Sequence, residues 1–151
     1  MLKSPSEQPQ KVVVVQPPDS SEEIAERALL AVQNLDSTDL VRIAEAYARV
    51  STDQAGEPVA ERALILSAKT WLEAANYDKA QAAFENYLDH YANGHWSNEA
   101  KLGQAICKEA KGETEAAIRT YQSLTNSTDV AVERRATVLL EAAQTKLDPQ
   151  R

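Results

Sequence analysis

Few side chains in this 151-residue chain are of a kind that does chemistry. There are two histidines, His90 and His95, and Asp89 stands beside the first. Their spacing straddles a helix end and an Asn93-Gly94 turn. It lacks the i, i+4 step by which one helix offers two imidazoles to a metal ion, so both read as surface histidines of a loop. No serine or cysteine forms a nucleophile–base motif with either. The single cysteine, Cys107, follows Ile106 on an alanine-rich helix and reads as a small buried thiol rather than a reactive one. No catalytic residue, metal site or cofactor is expected, and the chain reads as a non-enzyme.

Charge narrows the partners. The formal net charge is -7, which leaves no basic footprint for neutralising phosphates or for docking on anionic lipid. No apolar run approaches the roughly 20 residues that cross a bilayer, so neither nucleic acid binding nor membrane insertion is expected. A protein or peptide partner remains, with a homo-oligomer possible in principle.

The elements that would position such a partner are helices. Four of the six prolines lie in the first 18 residues, and none falls between Pro58 and Pro149. Helix-forming Ala, Leu, Glu, Lys, Gln and Arg dominate that interval. Residues 1–19 read as a flexible arm or linker. Its Val12–Val15 run is either a sticky irregular segment or a short strand that docks on a groove or partner. Ser20 with Glu23 makes a capping box for a first helix. Asp36–Asp39, Pro58, Asn76, Ser97, Glu113-Thr114 and Asn126–Asp129 punctuate six more. The spacing predicts hairpins over about 20–51, 58–92 and 97–125, with a capping helix at about 128–146, inside a domain of 20–147.

These hairpins repeat. Ala31, Ala68 and Ala105 stand 37 residues apart, as do Tyr47, Phe84 and Tyr121. Ile43, Ala80 and Ala117 form a third row at that period, and Val50, Tyr87 and Leu124 a fourth. A small residue permits close approach where helix ridges cross. The aromatic one turn later shares its face, and one hairpin cannot bury both its sides, so neighbours stack.

With Leu64, Ala68, Trp71, Tyr77-Asp78-Lys79-Ala80, Phe84 and Tyr87 in place, the chain resembles the tetratricopeptide repeat family. Likeness is closest over Leu64–Ala92 and continues through Ala105, Gly112, Ala117, Tyr121 and Leu124. Ile43 departs from the usual alanine. The resemblance implies an all-α, right-handed solenoid of three hairpins plus a capping helix, acting as a protein-binding scaffold. The phrase Phe84-x-x-Tyr87-Leu88-x-x-Tyr91, a polar turn, Trp96 and Glu99-Ala100-x-Leu102-Gly103 is similar to a bacterial cell-envelope subgroup. That subgroup contains the outer-membrane assembly lipoprotein, the Tol–Pal coordinator and the ancillary translocon subunit. Ala92 stands where its proline is usual.

In that family the first helix of each hairpin lines a concave groove. Carried over by position, the groove residues are Ala28 and Val32, Ile65 and Lys69, Leu102 and Ile106, then Leu35, Leu72 and Glu109. The carboxylate clamp of chaperone-binding members needs Lys and Asn. Here only Lys69 is offered, with Arg62 before it, so that kind of tail is not expected. An apolar groove instead suits an amphipathic helix, an extended apolar segment or a second copy; alternatively it is narrow and its apolar residues touch each other. Trp71 reads as core, and Trp96 as packing against the next hairpin or as a partner anchor. A periplasmic or membrane-anchored accessory factor is the favoured setting. A cytosolic adaptor and a self-associating structural protein are the rivals.

Overall fold

The computed structural model describes residues 20–36 and 38–150. The N-terminal arm with its valine run lies outside the described residues.

Five of the seven helices begin where a side chain accepts from free backbone donors or a proline removes one. Ser20 and Glu23 exchange reciprocal hydrogen bonds at the start of α1 (Ser21–Gln33). The Asp39 carboxylate accepts from Arg42 N ahead of α2 (Leu40–Asp53). Pro58 opens α3 (Pro58–Glu73), where its missing N–H costs nothing. Asn76 caps α4 (Tyr77–His90), and Asp129 caps α7 (Val130–Leu147) through two backbone donors. Trp96, not Ser97, sits at the N-cap of α5 (Ser97–Ala110), and α6 (Thr114–Leu124) follows Glu113; neither has a side-chain cap.

The period is visible in the turns. Ala75 and Gly112 both take positive φ, 54° and 89°. After them Asn76 N donates to Trp71 O and Glu113 N to Lys108 O, at 3.0 and 2.9 Å. These are the same helix-ending loop, built twice, 37 residues apart.

Seven helices and no strand among the described residues make an all-α, TPR-like solenoid. Consecutive helices pack in antiparallel pairs, and α1, α3, α5 and α7 also touch one another in turn. The core falls into three clusters. Ala25, Leu29, Val32, Tyr47 and Val59 hold the first hairpin to α3. Ile65, Ala68, Trp71, Ala80, Phe84 and Tyr87 hold the middle, and Ala105, Ala117, Tyr121 and Ala136 the end.

All six small and aromatic residues of the two later units (Ala68, Ala80, Phe84, Ala105, Ala117, Tyr121) are no more than 1% exposed. The first unit departs. Ala31 is exposed, and α1 instead buries the i, i+4, i+7 stripe Ala25, Leu29, Val32. In α2 the close approach falls on Ala44, next to half-buried Ile43, and the buried Ser67 hydroxyl donates to Ala44 O at 2.8 Å. The helix is turned about its axis because a stripe with one leucine and one valine buries more area than one centred on Ala31.

Candidate functional site

α1, α3, α5 and α7 line up in turn along one side of the solenoid, and charged pairs span them. Glu26 of α1 meets Arg62 of α3 at 2.5 Å. Lys69 of α3 meets Glu99 of α5 at 2.8 Å, and Arg135 of α7 reaches the same carboxylate at 4.0 Å. Glu109 of α5 accepts from Lys146 of α7 and, on its other oxygen, from the Tyr121 hydroxyl at 2.9 Å.

Three clefts lie along this surface. The first, about 460 Å³, has Ile65 and Leu66 at its floor, with Leu30, Arg62, Lys69 and Trp96 around them. The second, about 120 Å³, brings Lys69 and Leu72 together with Glu99 and Gly103. The third, about 350 Å³, sets Ile106 against Arg134, Val138 and Leu139. Thus Arg62, Ile65 and Lys69 are gathered in one place, while Leu72 and Ile106 are each in another.

Much of the apolar surface at the expected groove positions is packed into the core. Val32, Ile65 and Leu102 are 7%, 2% and 1% exposed, and Ala28 and Leu35 pack against the first core cluster. The first helix of a hairpin is covered by its own partner and by both neighbouring hairpins, so its apolar arc is wide and mostly core. What reaches the mouth of the groove is long and charged, because such stems can lie on apolar surface while their heads stay in water.

Sequence reasoning passed over Glu26, Glu99 and Arg135. A signal was there: Glu26, Arg62, Glu99 and Arg135 recur at nearly the repeat interval with alternating sign. Such a row is what a ladder of cross-helix pairs requires.

Arg62 has a further property. Its Nη2 binds Glu26, but its Nε is buried and has no hydrogen-bond partner among the described residues. A buried donor left without an acceptor costs about 1–3 kcal/mol.

The turn that forms one wall of the first cleft is locked from below. Glu61 Oε1 accepts from the Tyr87 hydroxyl at 2.6 Å and from His95 N at 2.8 Å. The Tyr87 oxygen in turn accepts from Trp96 N at 3.0 Å. A Cβ on Gly94 would stand 2.3 Å from Glu61 Oε1, so no larger residue fits. Burial and the Glu61 carboxylate raise the Tyr87 phenol pKa well above its ordinary value. The lock therefore stays protonated and intact at neutral pH. Trp96 is half-buried: it packs on the middle core and lines the first cleft, so packing and access to a partner coexist.

The other chemically able residues lie elsewhere. Trp71 is core, with the Lys79 ammonium 4.2 Å from its ring centroid. His90 and His95 are exposed. Cys107 is fully buried, and burial pushes its thiol up to about 11, so it is not a thiolate at neutral pH.

Residues 99–127 match the tetratricopeptide repeat family model. That span is α5, α6 and their turns, the third hairpin, whereas the sequence resemblance is closest in the second. No curated protein matches the chain. The matched unit, the twice-built turn and the stacking of first helices together define a TPR-like repeat protein. Repeats of this kind mediate protein–protein interaction.

Proposed function

We propose that this chain is a non-catalytic protein-interaction scaffold, and that the first concave cleft is where a partner segment sits. The observation that carries the reading is a 460 Å³ opening lined by apolar side chains and by the Arg62 guanidinium, whose side chain is 41% exposed. A backbone carbonyl or carboxylate of a bound segment would meet the exposed part of that guanidinium. Leu30, Leu66 and Trp96 would take an apolar side chain next to that acceptor. Because Glu26 and Glu99 already balance Arg62 and Lys69, the seat is close to neutral and suits a mixed segment better than a purely acidic tail.

Site-specific photo-crosslinking in the native host tests this. A benzophenone side chain at exposed Leu30 should capture a discrete partner, and Arg62→Ala should reduce the adduct at least tenfold. The same probe at exposed Ala82 of α4 should give none. Equal labelling from both positions would rule the cleft out.

The envelope setting is supported by the Phe84–Tyr91 phrase and by the 37-residue period. Its extra residues form the locked turn beside the cleft. An accessory factor of the bacterial cell envelope is the reading we favour over a cytosolic adaptor. Fractionation of the native host decides it: recovery with cytosolic markers would exclude the envelope role.

A further inference from the structure

Among the described residues, α7 has a face that no other helix covers. α1, α3 and α5 are each followed by a helix that packs on them, but nothing among the described residues plays that part for α7. Its inner side is filled by Val132, Ala136, Leu139, Leu140 and Ala143. Its outer side carries Ala131, Arg135, Val138 and Ala142, all exposed and spaced i, i+4, i+7, i+11. That spacing places them on one stripe, and its small members allow another helix axis to come close.

Two independent observations turn the stripe into a seat. First, Val138, 65% exposed, borders the apolar cleft of about 350 Å³ formed with Ile106 of α5 and with Leu139. Second, two guanidiniums stand at its rim. Arg134 has no ion pair among the described residues, and Arg135 meets Glu99 only at 4.0 Å with its side chain 54% exposed. In a chain of net charge -7 this is a basic spot around an apolar floor. Arg62, Lys69 and Lys146, by contrast, each have a carboxylate at 2.8 Å or closer.

We propose that the outer side of α7 is a second docking surface, and that its occupant is an amphipathic helix of another protein whose polar flank carries carboxylates. The helix lies along α7 as α4 lies along α3. It inserts apolar side chains between Val138 and Ile106 and places its carboxylates on Arg134 and Arg135. This surface meets the first cleft only through the 4.0 Å Arg135–Glu99 pair, and Val138→Glu, which leaves that pair alone, tests it separately.

The chain supplies its own example of such a helix. α4 offers Ala80, Phe84 and Tyr87 on one face, with Asp78, Glu85 and Asp89 exposed beside it. A synthetic peptide of residues 76–91 is therefore a suitable probe, titrated into the intact chain and followed by NMR. Shifts should concentrate on Ile106, Val138 and Leu139. Affinity should fall at least tenfold for the peptide bearing Asp78→Lys, Glu85→Lys and Asp89→Lys, and for the chain bearing Arg134→Glu and Arg135→Glu. Val138→Glu should abolish the shifts with unchanged circular dichroism, because the side chain is exposed.

Absence of shifts at millimolar peptide, or shifts that the variants leave unaltered, would overturn the proposal. So would a concentration-dependent dimer that Val138→Glu dissociates, which would make the occupant a second copy. Binding to vesicles of phosphatidylglycerol, lost in the arginine double variant, would assign the face to lipid and also overturn it.

Discussion

Ala75 and Gly112 close the same loop in successive hairpins, yet only one of them is glycine. Left-handed backbone costs a residue with a Cβ roughly 1–2 kcal/mol, whereas glycine forfeits about 0.5–1 kcal/mol of chain entropy. Ala75→Gly should therefore raise stability by up to about 1 kcal/mol, read as a higher urea midpoint at unchanged m-value. A lower midpoint would mean that the loop is not strained at Ala75. The cap residues Ser20, Asp39 and Asn76 were legible in the sequence because each announces its role by type and by the helix formers that follow. Ala75 was not: alanine is a good helix former, and its positive φ is imposed by the Asn76–Trp71 hydrogen bond across the turn.

Between elements the tightest junction is that of α4 with α5. A Cβ on Gly103 would lie 2.2 Å from Phe84 Cζ, and Phe84 is 1% exposed with nowhere to turn. Overpacking of this kind costs about 1–3 kcal/mol, while alanine recovers about 1 kcal/mol of helix propensity. Gly103→Ala should therefore lower stability by up to about 2 kcal/mol. Phe84→Leu in the same chain should relieve part of that loss, giving a non-additive double-mutant cycle by chemical denaturation; strict additivity would mean the two sites do not touch.

The repeat rows placed Phe84, Tyr121 and their small partners correctly, because a buried aromatic and its alanine leave a periodic trace. They misplaced Ala31, since the Ala25, Leu29, Val32 stripe buries more apolar area and sets the rotation of α1. They left open whether the apolar groove positions face a partner or each other. Burial of Ile65 and Leu102 depends on three neighbouring helices at once, and a pattern read along one helix does not reveal how many sides are covered.

Across the whole molecule, packing is graded. In a solenoid each unit leans on its neighbours, so the ends are the least secured. α1 buries three residues and α3 nine. Amide hydrogen exchange should be slowest in α3 and α4 and at least tenfold faster in α1, a tenfold step corresponding to about 1.4 kcal/mol of local opening. Uniform protection from α1 to α7 would indicate a single cooperative block instead. Such grading also bears on the first cleft, one wall of which is α1: a bound segment that bridges Glu26 and Arg62 would slow α1 exchange most.

The Glu61–Tyr87–Trp96 lock has a consequence for how this chain can change over time. Surface turns ordinarily absorb insertions and deletions. Here one extra residue between Tyr91 and Trp96 would slide His95 N and Trp96 N away from two acceptors at once. It would also carry Gly94 out of a spot that lacks room for a Cβ. The length of this junction is therefore held fixed from within, and drift in the chain is pushed toward other loops or toward gain and loss of whole hairpins.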